Sequence, residues 1–206
     1  MNVLLLNGSP SANGCTYTAL WEVAGALERE GIQTEIFHAG KGPVAGCTGC
    51  GACKETGRCM IDDGVNRAIE KAKEADGLIL GAPVHYGGAA GVMTTFLDRL
   101  FYAAGGFFAY KPGGALVSCR RGGATAALDR LNKYFTISCM PVVSSQYWNM
   151  VHGNTPEEVR QDLEGMQTLR LLGQNMAWLL KSIQAGRQAG LPIPQAEPRI
   201  RTNFIR

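Results

Sequence analysis

Hydrophobic positions along the chain alternate between short unbroken runs and longer stretches with helical spacing. Val3-Leu4-Leu5-Leu6, ended by Asn7-Gly8, predicts a strand buried on both faces. Thr16 to Glu30 places Leu20, Val23, Ala24 and Leu27 on one side and stops at Gly31, which predicts a helix. The same reading gives a second strand at Thr34–Phe37, a helix at Val65–Ala75, and a third strand at Gly77–Gly81 halted by Ala82-Pro83. A helix at Val92–Ala104, a fourth strand at Ala115–Ser118, a helix at Ala124–Phe135 and a fifth strand at Pro141–Val143 follow. One long helix from Glu157 to about Gln184 carries Leu163, Met166, Leu169, Leu172, Met176, Leu179 and Ile183 at helical spacing. Strands each followed by a helix predict an α/β fold, a doubly wound five-stranded parallel sheet with right-handed crossovers. Ligands of such sheets sit outside the carboxyl ends of the strands, so the loops there are the ones to read for chemistry.

The chain of 206 residues suits one α/β domain, expected over 1–186, with 187–206 as an extended tail carrying Pro192, Pro194 and Pro198. Hydrophobic residues at 46% provide a real core. Charged residues make up only 18% while Gly numbers 27, which points to tight loops approaching a ligand rather than a charged adaptor surface. A net charge of +3 without any run of like charges argues against nucleic acid or a membrane surface as partner. The apolar start at Met1–Leu6 is too short for a signal core or a membrane span. The seven cysteines are therefore expected in a reducing cytoplasm, as metal ligands, redox groups or core residues.

The loop after the first strand, Asn7 to Thr16, has neither the glycine triplet of a dinucleotide fingerprint nor the Lys of a triphosphate loop. It offers small residues, hydroxyls and a helix N-terminus: Ser9, Asn13, Gly14, Cys15 and Thr16 are the candidate phosphate holders. After the third strand, Pro83, Val84, His85, Tyr86 and Gly87 form a tight loop whose amides can face a polar ring edge. There Tyr86 can stack on an apolar face and His85 can donate a hydrogen bond. After the fourth strand, Ser118, Cys119, Arg120, Arg121, Gly122 and Gly123 reach the same end of the sheet. An arginine there could stabilise negative charge on a reduced ring or attract dinucleotide phosphates, though Gly122-Gly123 favours contact by the main chain.

Gly8-Ser9-Pro10 with Asn13-Gly14-Cys15-Thr16 resembles the FMN phosphate loop of the flavodoxin-like NAD(P)H-dependent FMN reductases. Ala82 to Gly87, then Phe96-Leu97-Asp98-Arg99, is similar to that family's flavin-wrapping segment and the Phe-x-Asp-Arg helix after it. His85 stands where the family usually has Tyr, and Tyr86 where it has Trp or Phe, which changes the ring's neighbours but keeps the platform. The resemblance implies a flavodoxin-like sheet of strand order 2-1-3-4-5, FMN as cofactor and NAD(P)H as donor. It also implies a small-molecule or protein electron acceptor, and a homodimer or homotetramer. Asp98-Arg99 reads as structural, capping and bridging within its helix.

Cys47, Cys50, Cys53 and Cys59 form a C-x2-C-x2-C-x5-C run within thirteen residues of Gly-rich loop after the second strand. Thiolates at this spacing can wrap one cubane cluster, whereas zinc more often takes two separated knuckles. The bacterial ferredoxin run is different, with three residues before its fourth Cys and a Pro after it. The motif resembles that of the iron–sulfur flavoproteins, a branch of the same family, which implies a [4Fe-4S] cluster; a metal-free thiol loop is the other reading. Cys15 is expected to lend its N–H, Cys119 to be a small buried hydrophobe and Cys139 to lie in the core. Tyr147, Trp148, Asn149, Met150 and His152 could cover the substrate side of a flavin, and Trp178 reads as core or interface.

These residues predict an NAD(P)H-dependent FMN oxidoreductase passing electrons to a flavin, quinone or other acceptor. A flavodoxin-type carrier without its own NAD(P)H turnover is the alternative, and a metal-dependent redox sensor a third reading. No side chain is assigned as a catalytic acid or base.

Overall fold

In the computed structural model, which describes residues 1–198, 200 and 202, alternate side chains of strand β3 (Gly77–His85) point into two different cores. Leu78, Leu80 and Ala82 pack in one, and Ile79 in the other. Strands β1 (Asn2–Asn7) and β5 (Gly113–Cys119) divide the same way, which is why their apolar runs are unbroken. Helices α1 (Cys15–Arg29) and α7 (Leu163–Gln188) bury one face of the sheet. Helices α3 (Gly64–Glu74), α4 (Gly91–Ala104) and α5 (Ala124–Ile137) bury the other.

The sheet order is β2-β1-β3-β5-β6, with β2 at Gln33–His38, β6 at Met150–His152 and every neighbouring pair parallel. A sixth, two-residue strand, β4 (Gly88–Ala89), turns back antiparallel on the end of β3. With that hairpin set aside, the order is the expected 2-1-3-4-5.

Two elements differ from the sequence reading. Pro141–Val143 is not the fifth strand of the sheet. It makes one bridge, where Pro141 O accepts from Gly113 N at 2.9 Å and Val143 N donates to Gly113 O at 2.8 Å. The chain then leaves the edge and rejoins it at Met150, opposite Val117. The long C-terminal helix is two helices, α6 (Pro156–Gln161) and α7, broken at Asp162. There the Asp162 carboxylate accepts from Gly165 N at 2.9 Å as an N-cap and from His152 N at 2.7 Å.

Cys139 is exposed rather than in the core. It takes φ 55° just past α5, where Met140 N donates to Phe135 O at 3.1 Å; this closes a Schellman turn that points the thiol outward and buries Met140. Trp178 is exposed on α7, as is Trp21 on α1. Of the expected tail, Pro194 O accepts from the Tyr110 hydroxyl at 3.1 Å; Arg199, Arg201 and residues 203–206 lie outside the described residues. No helix among the described residues is long and apolar enough to cross a membrane.

Candidate functional site: three loops and a cysteine cavity

The loop after β1 is braced from inside by Asn7. Its buried side chain accepts from Ser9 N at 3.1 Å and donates to Ala12 O at 3.1 Å, so the turn is held by an amide that never reaches solvent. Ser9 is buried too: its Oγ accepts from Ser11 N at 3.1 Å, and its carbonyl meets His38 Nε2 at 2.8 Å. Helix α1 then begins at Gly14 with no side chain capping it and no acidic residue in its first turn. Its leading N–H groups are thereby left for an anion.

Thr16 also braces the loop. Its hydroxyl is buried against that of Ser118 at 2.8 Å, tying this loop to the end of β5. Cys15 Sγ donates to Gly153 O at 3.6 Å, and burial raises its thiol pKa. Asn13 is exposed at the loop's rim.

Pro83 and Val84 are half-buried near the end of β3, its last residue His85 is exposed, and Tyr86 and Gly87 follow as an exposed turn. Tyr86 (φ 51°) and Gly87 (φ 78°) form the two-residue turn of the β3–β4 hairpin, with His85 paired to Gly88. An aromatic residue in the left-handed region is uncommon, and this one is fully exposed, so no packing inside the chain offsets its conformational cost. Opposite it, Gly123 has φ 88°, and a Cβ there would lie 2.7 Å from Gly87 Cα and 2.9 Å from Val84 Cγ1. Only glycine lets the loops after β3 and β5 pack this closely.

At the end of β5 Ser118 and Cys119 are buried, and burial raises the Cys119 thiol pKa. Arg120, Arg121 and Gly122 are exposed. The loops after β1, β3 and β5 thus meet at one end of the sheet, joined by Thr16–Ser118 and by Gly87–Gly123. Tyr147 and Trp148 are exposed with ring centroids 5.1 Å apart, beside His152 and Asp162 in a 250 Å³ cavity.

Cys47, Cys50, Cys53 and Cys59 all line a single cavity of about 430 Å³, with Asp98, Arg99 and Tyr102 of α4 as its wall. Gly49 (φ 69°) and Gly51 (φ 76°) turn the chain between the first three cysteines, and a short helix α2 (Cys53–Thr56) carries the third. The Ala52 N–H and then the Thr48 hydroxyl lower the pKa of the exposed Cys50 thiol. Among the described residues no three His, Cys, Asp or Glu side chains close on one ion. The four cysteines thus share one cavity wall without closing on a point.

Arg99 is the residue the sequence reading undervalued. It bridges out of its helix rather than within it, and its side chain is fully buried. Nη1 and Nη2 donate to Asp63 at 2.7 and 2.9 Å, Nη1 also to Ala45 O and Nη2 to Ile61 O, while Nε lies 3.1 Å from Cys59 Sγ. Burial alone would raise the Asp63 carboxyl, but the Arg99 hydrogen bonds, the Val65 N–H and the guanidinium charge outweigh it and hold its pKa below the ordinary value. An Arg amid the buried stripe Phe96, Leu97, Leu100 was the available signal. Helix α4 starts beside the Tyr86 hairpin, so about 12 Å of helix axis separates its first turn from Arg99.

Residues 1–155 match the NADPH-dependent FMN reductase family. An iron–sulfur flavoprotein of Methanocaldococcus jannaschii is 34% identical over 192 residues, covering 89% of this chain and 100% of its own. In structure, RosB with a bound 8-demethyl-8-formylriboflavin-5'-phosphate intermediate aligns at TM-score 0.69 and 18% identity, over 100% of this chain and 92% of that one. A flavodoxin from the domain Archaea aligns at TM-score 0.61 and 15% identity, over 88% of this chain and 99% of that one. The structural likenesses give the fold as flavodoxin-like.

Proposed function

The chain belongs to the NADPH-dependent FMN reductase family, an FMN flavoprotein oxidoreductase, and from that premise we propose that it is an NAD(P)H-dependent enzyme holding FMN in the three-loop site and a [4Fe-4S] cluster on Cys47, Cys50, Cys53 and Cys59. The observation that carries the reading is the convergence of three strand-end loops on an uncapped helix N-terminus, with a four-thiol cavity against α4 on the other face of the sheet. Bound there, FMN supplies exchange between hydride and one-electron chemistry, and a cluster supplies one-electron transfer.

The first-turn amides of α1 and the amides of Gly14 and Cys15 hold the phosphate, on a loop that Asn7 keeps rigid. Gly122, Gly123 and Gly87 bring main-chain N–H groups to the polar edge of the ring. Tyr86 presents its exposed face for stacking, and His85 stands beside it as a donor. Arg120 and Arg121 place positive charge where a reduced ring or a dinucleotide phosphate carries negative charge. No side chain here has to move a proton.

The acceptor in this reading is a flavin, a quinone or a redox protein. Residues 1–186 form the FMN-binding unit and 187–206 its tail, whose first two residues still belong to α7; the working form is a cytoplasmic homodimer or homotetramer. Exposed Trp21 and Trp178, on the adjacent helices α1 and α7, support association.

Anaerobic mixing of the FMN-loaded protein with NADH or NADPH tests the donor. Bleaching of the flavin absorption by either one, followed by reoxidation with a quinone, is the expected result. Reduction by dithionite alone would overturn the enzyme reading and leave a flavodoxin-type carrier.

A further inference from the structure

Cys59 is held more firmly than the other thiols of its loop. Its N–H donates to the buried Asn66 side chain at 2.9 Å, and its carbonyl accepts from the same amide at 3.0 Å. Its sulfur faces a guanidinium that has no freedom to turn away. Asp63 takes both terminal nitrogens of Arg99, and the carbonyls of Ala45 and Ile61 take what those nitrogens have left. Nε alone remains, aimed at Cys59 Sγ. A buried cation is tolerable only when its donors are met this completely, so sulfur is one of the partners on which the arrangement depends. The two carbonyls flank the cysteine run from either side, Ala45 before Cys47 and Ile61 after Cys59. One guanidinium therefore closes the whole loop.

We infer that Arg99 is a positioning residue for an iron–sulfur cluster on this loop, presenting Cys59 as a hydrogen-bonded ligand and raising the cluster's reduction potential. The inference rests on the reading that the four thiols hold a cluster. A charge-assisted N–H···S bond withdraws electron density from the ligating sulfur and favours the more negative, reduced cluster. Its direction is therefore fixed: losing the bond lowers the potential. Asp63 neutralises the cation overall, so the effect at Cys59 comes from the proximity and direction of the N–H rather than from net charge.

Two variants separate these roles. Arg99→Lys keeps the charge, but an ammonium cannot serve the carboxylate fork and the sulfur together. Arg99→Met with Asp63→Asn removes cation and counter-anion at once, so no charge is stranded, and Asn still caps α3. Iron, acid-labile sulfide and FMN are counted per chain after anaerobic reconstitution, and the cluster midpoint is read by dye-mediated titration. The expected result is full FMN retention in both variants, with either a more negative midpoint or loss of iron. Unchanged iron and an unchanged midpoint in the double variant would overturn the role of Arg99 and leave the cluster reading intact. Loss of FMN together with iron in both variants would overturn it too, because Arg99 would then serve the fold rather than the cluster. Native protein that takes up no iron would instead remove the cluster reading itself.

Discussion

The hydroxyl oxygens of Thr16 and Ser118 lie 2.8 Å apart inside the protein, and that bond joins the first turn of α1 to the end of β5. Among the described residues neither hydroxyl has another partner, so each depends on the other. Thr16→Val keeps the shape and strands the Ser118 hydroxyl, which costs about 1–3 kcal/mol. Adding Ser118→Ala should recover most of that loss, because both polar groups are then gone together. Urea unfolding of the two singles and the double gives the coupling directly. FMN retention should fall with the single variants, since the loop they loosen carries the phosphate amides.

Gly123→Ala forces a Cβ against Gly87 Cα at 2.7 Å on a residue with φ 88°. Strain of about 1–3 kcal/mol is expected, together with separation of the two ring-side loops. Gel filtration should then release FMN from the variant under conditions where the native protein keeps it.

Tyr86 permits a separation of fold from function. Glycine at that turn position relieves the φ 51° conformation, so Tyr86→Gly should leave the melting temperature unchanged or raise it. The same change removes the exposed ring, and FMN should bind more weakly by about 1 kcal/mol. Flavin fluorescence titration reads that effect, and unchanged affinity would remove Tyr86 from the site.

The Asp63–Arg99 pair sets a pH dependence of stability. Asp63 ionises at lower pH in the folded chain than in the unfolded one. Its contribution is therefore fully present above the unfolded carboxylate value of about 3.9, and is lost as pH falls through the depressed folded value. Native protein should exceed Asp63→Asn in stability by a constant margin above about pH 5. The margin should shrink below that and vanish in strong acid, as urea midpoints measured across the range would reveal.

Most of the sheet was legible because strands buried on both faces leave unbroken apolar runs, and Gly31 marks a helix end locally. The interrupted edge was not. Val142 and Val143 look more like a strand than Met150-Val151-His152, yet the first pair meets only the start of β5. Asp162 hid inside a helical pattern because its break is set by the N–H groups of His152 and Gly165, and periodicity is blind to that pairing. The cysteine run was legible from spacing alone, while its brace was not. The partners of Arg99 lie 36 to 54 residues away in sequence, so local pattern reads only its place in α4. Tyr86-Gly87 makes a hairpin turn without the Asn-Gly or Asp-Gly that usually announces one.

Visible absorption of the anaerobically purified protein, followed through dithionite addition and paired with iron, sulfide and FMN assays, tests the central claim most directly. The account expects one FMN per chain riding on a broad iron–sulfur absorption that bleaches on reduction, with about four irons per chain lost in Cys50→Ser while FMN stays. A clean flavin spectrum without iron would contradict the role given to the four thiols, and a colourless protein that takes up neither group would contradict the account as a whole.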